Sequence, residues 1–113
     1  MNNTLKNQIE KTLALAISEF KNEDETLKFL REFLTAKELE ILSKRLSIAY
    51  WLSKKRTNEN IKTNLKVTNT AILDAKKLLQ KSEIKNIMRR IDADVWSDKW
   101  SQKIKGLLKK KAL

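Results

Sequence analysis

Proline, cysteine and histidine are absent from the 113-residue sequence, and glycine occurs once, at Gly106. The chain therefore has almost none of the residues that build hairpins and tight turns. Without cysteine there are no disulfides and no thiolate chemistry. Without histidine the usual zinc ligand and general base are missing. No stretch is long and apolar enough to span a membrane, and the opening MNNTLKNQIEK has no uninterrupted apolar run of the kind a secretory signal needs. Cytoplasmic residence is the expectation. What remains is rich in Lys, Leu, Glu, Asn and Ile, with β-branched residues scattered rather than in runs. That composition predicts an all-α fold of about six helices joined by short polar segments.

The formal net charge of +11 is unevenly placed. Residues 1–53 hold eight Lys/Arg and eight Asp/Glu, whereas residues 54–113 hold 17 basic and 6 acidic residues. The whole excess lies in the second half. Such a division points to a polyanion-facing part joined to a neutral scaffold.

Helical periodicity begins early. Leu5, Ile9, Leu13, Ala16, Ile17 and Phe20 recur at steps of three and four, predicting a helix over about 4–20. Asn22 to Glu25 has capping-box spacing ahead of Leu27, Leu30, Phe33 and Leu34. Thr35-Ala36-Lys37-Glu38 is a second capping box, and the helix after it carries Leu39, Leu42, Leu46, Ala49 and Leu52 on one stripe. Ile41, Ile48 and Trp51 lie off that stripe, so the helix is apolar on more than one side. A chain of this length has little core to bury such a surplus, which we assign to a homodimer interface.

Two short helices follow, over about 59–65 and 69–81, with Thr68 placed to cap the second. Ile61, Leu65, Val67, Ile72 and Ala75 would hold them at a steep crossing, a helix-turn-helix frame over about 57–80. The expected organisation is a dimerisation and helix-turn-helix region over 1–80 and a basic amphipathic helical extension over 81–113. In that extension Ile84, Ile87, Met88, Ile91 and Val95 form one stripe, and Trp96, Trp100, Ile104, Leu107 and Leu108 continue it with a small shift. Asp92, Asp94 and Asp98 read as helix caps rather than a metal site.

The run from Phe29 to Ala49 resembles the Trp-repressor superfamily, with Leu34-Thr35, Glu38-Leu39 and Arg45 in the family's signature places. Asn60 to Ile72 is similar to the family's helix-turn-helix, and the likeness covers about residues 5–80. It implies an intertwined dimer that presents two recognition helices to successive major grooves. Trp repressor is itself a standard example of that docking, so the geometry comes from the resemblance. Two positions depart from the family. Lys66 stands where glycine is usual in the turn, a place that favours a left-handed backbone. Asp74 stands where tryptophan-responsive members have an arginine that helps hold the co-repressor. Thr35 and Arg45 match positions near that pocket, but an aspartate would repel the ligand's carboxylate. No tryptophan co-repressor, cofactor or metal is expected.

On this reading the chain is a sequence-specific transcriptional regulator that binds double-stranded DNA, and not an enzyme. Thr68, Asn69 and Thr70 open the second helix with short polar side chains suited to base edges. Lys62, Lys66, Lys76 and Lys77 would meet phosphates, and Asp74 could accept from cytosine N4. Each has a plainer role as helix cap or solvated face. Two other functions stay open at this point: a dimeric protein-interaction module that has lost base reading, and a membrane- or RNA-surface binder acting through Trp96, Trp100, Lys99, Lys103, Lys105 and Lys109–Lys111.

Overall fold

Helices begin in this chain where a side chain can replace a missing backbone acceptor. The structure is a computed structural model that describes residues 1–111, with side chains at all of these except 96–100 and 108–111. Its elements are α1 (Asn3–Ser18), α2 (Glu23–Phe33), α3 (Ala36–Ser53), α4 (Asn58–Leu65), α5 (Asn69–Leu78) and α6 (Ser82–Lys111). The fold is all-α, with no strand among the described residues.

Asn2 Oδ1 accepts from the Leu5 N–H at 2.8 Å to open α1, and Asn22 Oδ1 accepts from the Glu25 N–H at 3.0 Å to open α2. The capping box at Thr35 closes both ways. Thr35 Oγ1 accepts from the Glu38 N–H at 3.1 Å, and Glu38 Oε1 accepts from the Thr35 N–H at 2.9 Å. The Thr35 N–H, and after it the Thr35 hydroxyl, favours the carboxylate, so the Glu38 carboxyl is held below its ordinary range. Helix α5 stops at Leu78, short of the expected 81, because its last turn tightens. The Gln80 and Lys81 N–H groups donate to Lys77 and Leu78 carbonyls, and Ser82 then starts α6.

Packing groups the chain into two units, Met1–Leu42 and Ser43–Leu113. In the first unit no residue is buried. Phe20, Phe29 and Phe33 form a run of ring contacts, with centroids 5.0 Å apart for the first pair and 5.2 Å for the second. The α1 stripe is left open: Leu5, Ile9, Leu13 and Ile17 are each between 43% and 49% exposed.

The second unit holds the core. Ile48, Ala49, Ile61, Ile72, Ala75 and Met88 are buried, flanked by half-buried Trp51, Leu65, Val67, Leu79, Ile84 and Ile91. The reading of α3 needs correction here. Leu42 and Leu46, placed on its inner stripe, are exposed, whereas Ile48, assigned to the surplus, lies in the core. The cap reading of Asp94 and of Asp92 is corrected too, since both lie inside α6. Asp92 Oδ1 instead accepts from the Tyr50 hydroxyl at 3.1 Å and pairs with Lys54 Nζ at 2.9 Å, clipping α6 to the end of α3. The expectations for the side chains of Trp96, Asp98, Lys99, Trp100 and Leu108–Lys111 lie outside the described residues.

The clip is sensitive to pH at both ends. The bond from Lys54, with help from Tyr50, holds the Asp92 carboxyl below the usual carboxylate range against the opposing effect of desolvation. The bond to Asp92 raises Lys54, while desolvation and then Asp92 raise Tyr50. A depressed carboxyl contributes stability above its unfolded value, about 3.9, and loses it as pH falls through the folded value. The raised Lys54 and Tyr50 contribute below their unfolded values, about 10, and lose it as pH rises through the folded ones. Asp92→Asn should therefore lower stability in urea unfolding by an amount that is constant from about pH 5 to 9 and shrinks below about pH 4. A deficit unchanged down to about pH 2 would show that the carboxylate charge contributes nothing.

Candidate nucleic-acid interface

The site starts with the way α3 ends. Lys55 takes a left-handed backbone, φ 66°, although it is not glycine. The Lys55 N–H donates to the Leu52 carbonyl at 3.0 Å and the Arg56 N–H to the Trp51 carbonyl at 3.1 Å. These two bonds are the paired closure of a Schellman motif. Such motifs usually add an apolar contact between the residues at the Arg56 and Trp51 places. Here the Arg56 guanidinium lies over the Trp51 ring, 4.0 Å from its centroid. Arg56 Nη1 also donates to Asn60 Oδ1 at 3.4 Å, so one side chain joins the stop of α3 to the start of α4.

Helix α4 opens on Thr57, whose Oγ1 accepts from the Asn60 N–H at 3.1 Å. It closes after eight residues at Lys66, nine places beyond Thr57; the φ of 54° and ψ of 55° at Lys66 are left-handed. The turn demanded at the glycine place is therefore made by lysine. Val67 tucks against the core, and Thr68 Oγ1 accepts from the Ala71 N–H at 3.2 Å to open α5. Ile61 from α4 and Ile72 and Ala75 from α5 are buried, which sets the two helices against one another.

That burial decides which α5 residues are presented. Asn69, Thr70, Asp74, Lys76 and Lys77 are all exposed, as are Lys66 and Thr68 in the turn, while Lys62 on α4 is half-buried. The Thr68 hydroxyl already accepts as a cap, which leaves its O–H as a donor. The first-turn amides of Asn69 and Thr70 face the end of α5, where a helix attracts anions.

Two residues were missed in the sequence. Leu73 is 57% exposed, one turn beyond Asn69 on the presented face of α5, and offers the apolar contact that a thymine methyl needs. The cue was its place between inward Ile72 and outward Asp74, four residues after Asn69. Arg56 is exposed at the head of α4, held in place by Trp51 and Asn60. Among the described residues no three metal-ligating side chains come together.

The family model described as Trp repressor protein matches residues 8–92. The match begins in α1 and ends at the clipped Asp92 of α6. Comparison with curated proteins and with solved structures returns no match.

The left-handed turn yields a stability test. A side chain in that conformation costs about 1–2 kcal/mol, part of which glycine returns through its freer unfolded chain. Lys66→Gly should stabilise the protein by about 0.5–1 kcal/mol, read from the urea midpoint. A lower midpoint would mean that the turn is not left-handed in solution.

Proposed function

The chain belongs to the Trp repressor family, and on that premise we propose that it is a cytoplasmic, homodimeric, sequence-specific DNA-binding regulator that acts without tryptophan. Base reading is assigned to Asn69, Thr70 and Leu73, with Thr68 at the turn and Asp74 one helical turn further on. Phosphate contacts are assigned to Lys62, Lys66, Lys76 and Lys77. The working parts are residues 1–80 for pairing and DNA, with the helix-turn-helix over about 57–80, and 81–113 as a basic extension. The observation that carries the reading is the exposed polar face that α5 keeps while Ile72 and Ala75 anchor its other side.

Pairing is supported by magnitude. Ten large apolar residues between Leu5 and Leu46 are at least 38% exposed. Covering the exposed part of each contributes on the order of 1 kcal/mol per copy, so roughly 20 kcal/mol gross for two copies. That exceeds the roughly 4–15 kcal/mol cost of bringing two chains together. The absence of a tryptophan response rests on Asp74, whose exposed carboxylate would repel that of the amino acid.

Selection of duplexes from a random pool at two salt concentrations tests base reading. One palindromic sequence should emerge, and its affinity should fall steeply with salt. Asn69→Ala should erase the preference for it, worth about 1–3 kcal/mol, while Lys76→Ala weakens selected and random duplexes alike. Adding L-tryptophan should change neither affinity. Equal affinity for every duplex at both salts would leave a protein-interaction module as the function.

A separate measurement addresses pairing. The parent should sediment as a dimer, and Ile9→Asp with Leu13→Asp should yield a monomer. A parent that is monomeric at micromolar concentration would remove the pairing from the proposal.

A further inference from the structure

Helix α6 changes its apolar face partway along. Ile84, Met88 and Ile91 pack on the core, and the clipped Asp92 is the last described residue of α6 that is not exposed. At about 100° per residue the core-facing stripe runs on through positions 95, 98, 102, 106 and 109. After Val95 those positions hold Asp98, Gln102, Gly106 and Lys109. A Cβ at Gly106 would meet nothing within 4 Å, so this side of the helix is bare there.

Apart from Val95, the apolar positions of the second half are 93, 96, 100, 104, 107 and 108, filled by Ala, Trp, Trp, Ile, Leu and Leu, with 108 at the margin of the stripe that the other five form. This second stripe lies roughly 150° around the helix from the first. It is thus a separate face and not a continuation with a small shift. Ile104 is 47% exposed and Leu107 is 60% exposed. The stretch from 93 to 111 is about 28 Å of helix and lies beyond the residues matched by the family model.

We propose that residues 93–111 form an amphipathic helix that binds an anionic lipid surface, lying in the interface without crossing it. Charge selects this occupant. The stretch holds six lysines and two aspartates. By the same count positions 99, 103 and 110, all lysine, line one edge of the apolar stripe, Lys111 falls within it at the end of the helix, and Lys105 and Lys109 lie on the far side. Asp94 and Asp98 fall on the far side of the helix from it. An anionic bilayer uses both features, since lysines meet headgroups while an apolar stripe enters the acyl boundary. A duplex would use the lysines and leave the apolar stripe in water. A second copy of the helix would bring like charges together. No helix among the described residues is long and apolar enough to cross a membrane, which agrees with a helix that lies on the surface.

The test is co-sedimentation of the full chain with vesicles of phosphatidylglycerol and phosphatidylcholine, against vesicles of phosphatidylcholine alone. The expected result is binding to the anionic vesicles only. Ile104→Asp with Leu107→Asp should weaken it at least tenfold, while Asn69→Ala leaves it unchanged. Both substituted side chains are exposed, so the variant keeps its core, and its urea midpoint should equal that of the parent. Absence of binding to anionic vesicles, or binding undiminished in the double variant, would overturn the proposal. So would a double variant that loses affinity for random duplex, or changes sedimentation in solution, while keeping its vesicle affinity. The first would make this face a DNA contact and the second a contact between copies.

Discussion

The second unit depends on three isoleucines, one from each of three consecutive helices. Ile48 of α3, Ile61 of α4 and Ile72 of α5 are at most 2% exposed. Full burial of such side chains contributes about 1.5–3 kcal/mol each, so the trio matches the whole net stability of a small domain, about 5–15 kcal/mol. Helix α4 has eight residues and would not hold together alone. Its place, and with it the direction of the turn into α5, follows from Ile61. Met88 and the alanines at 49 and 75 complete the core, and small side chains at a crossing let helices approach closely.

The two units divide physical work. The first holds six basic and eight acidic residues, buries nothing and leaves its long apolar stripe exposed. The second holds the core and 19 basic against six acidic residues. Packing so many cations into one unit costs self-repulsion, and some of that is answered locally. Lys54 is paired to Asp92, and Arg56 lies on the Trp51 ring. Both contacts sit where α3 ends, which steadies the entry into α4. Cations elsewhere in the unit, such as Lys66, Lys76 and Lys77, stay exposed.

What could be read from the sequence was local. Thr35, Glu38 and Thr68 act as caps because three-residue spacing alone defines the geometry. The frame of Ile61, Leu65, Val67, Ile72 and Ala75 was legible because helical periodicity and one turn fix it. The left-handed Lys66 was legible through the family pattern. Other features needed distance or broke a local rule. Asp92 meets Tyr50 across 42 residues, and no spacing rule reaches that far. Lys55 adopts a left-handed turn that glycine normally announces. In α3, two apolar stripes overlap, and only tertiary packing chooses Ile48 over Leu46. In α6 the stripe changes side after Val95, and a list of apolar residues hides the change that a count around the helix reveals.

Asp74 bears on how a face such as this could discriminate. A purely cationic helix would hold any duplex by its phosphates, with affinity that carries no sequence information. A carboxylate among the lysines repels a misplaced phosphate and accepts only from a donor such as the cytosine amino group. On the proposed reading it would subtract from binding to every duplex and return something only where a donor sits opposite. Leu73 beside it would work the same way, since an exposed leucine gains contact at a thymine methyl and little elsewhere. Lysine at 66 pulls in the other direction, adding a charge at the turn in place of a glycine that would add none. On the proposed reading, the two departures from the family pattern therefore act as opposites: Lys66 strengthens general attraction at the rim, and Asp74 makes the centre selective.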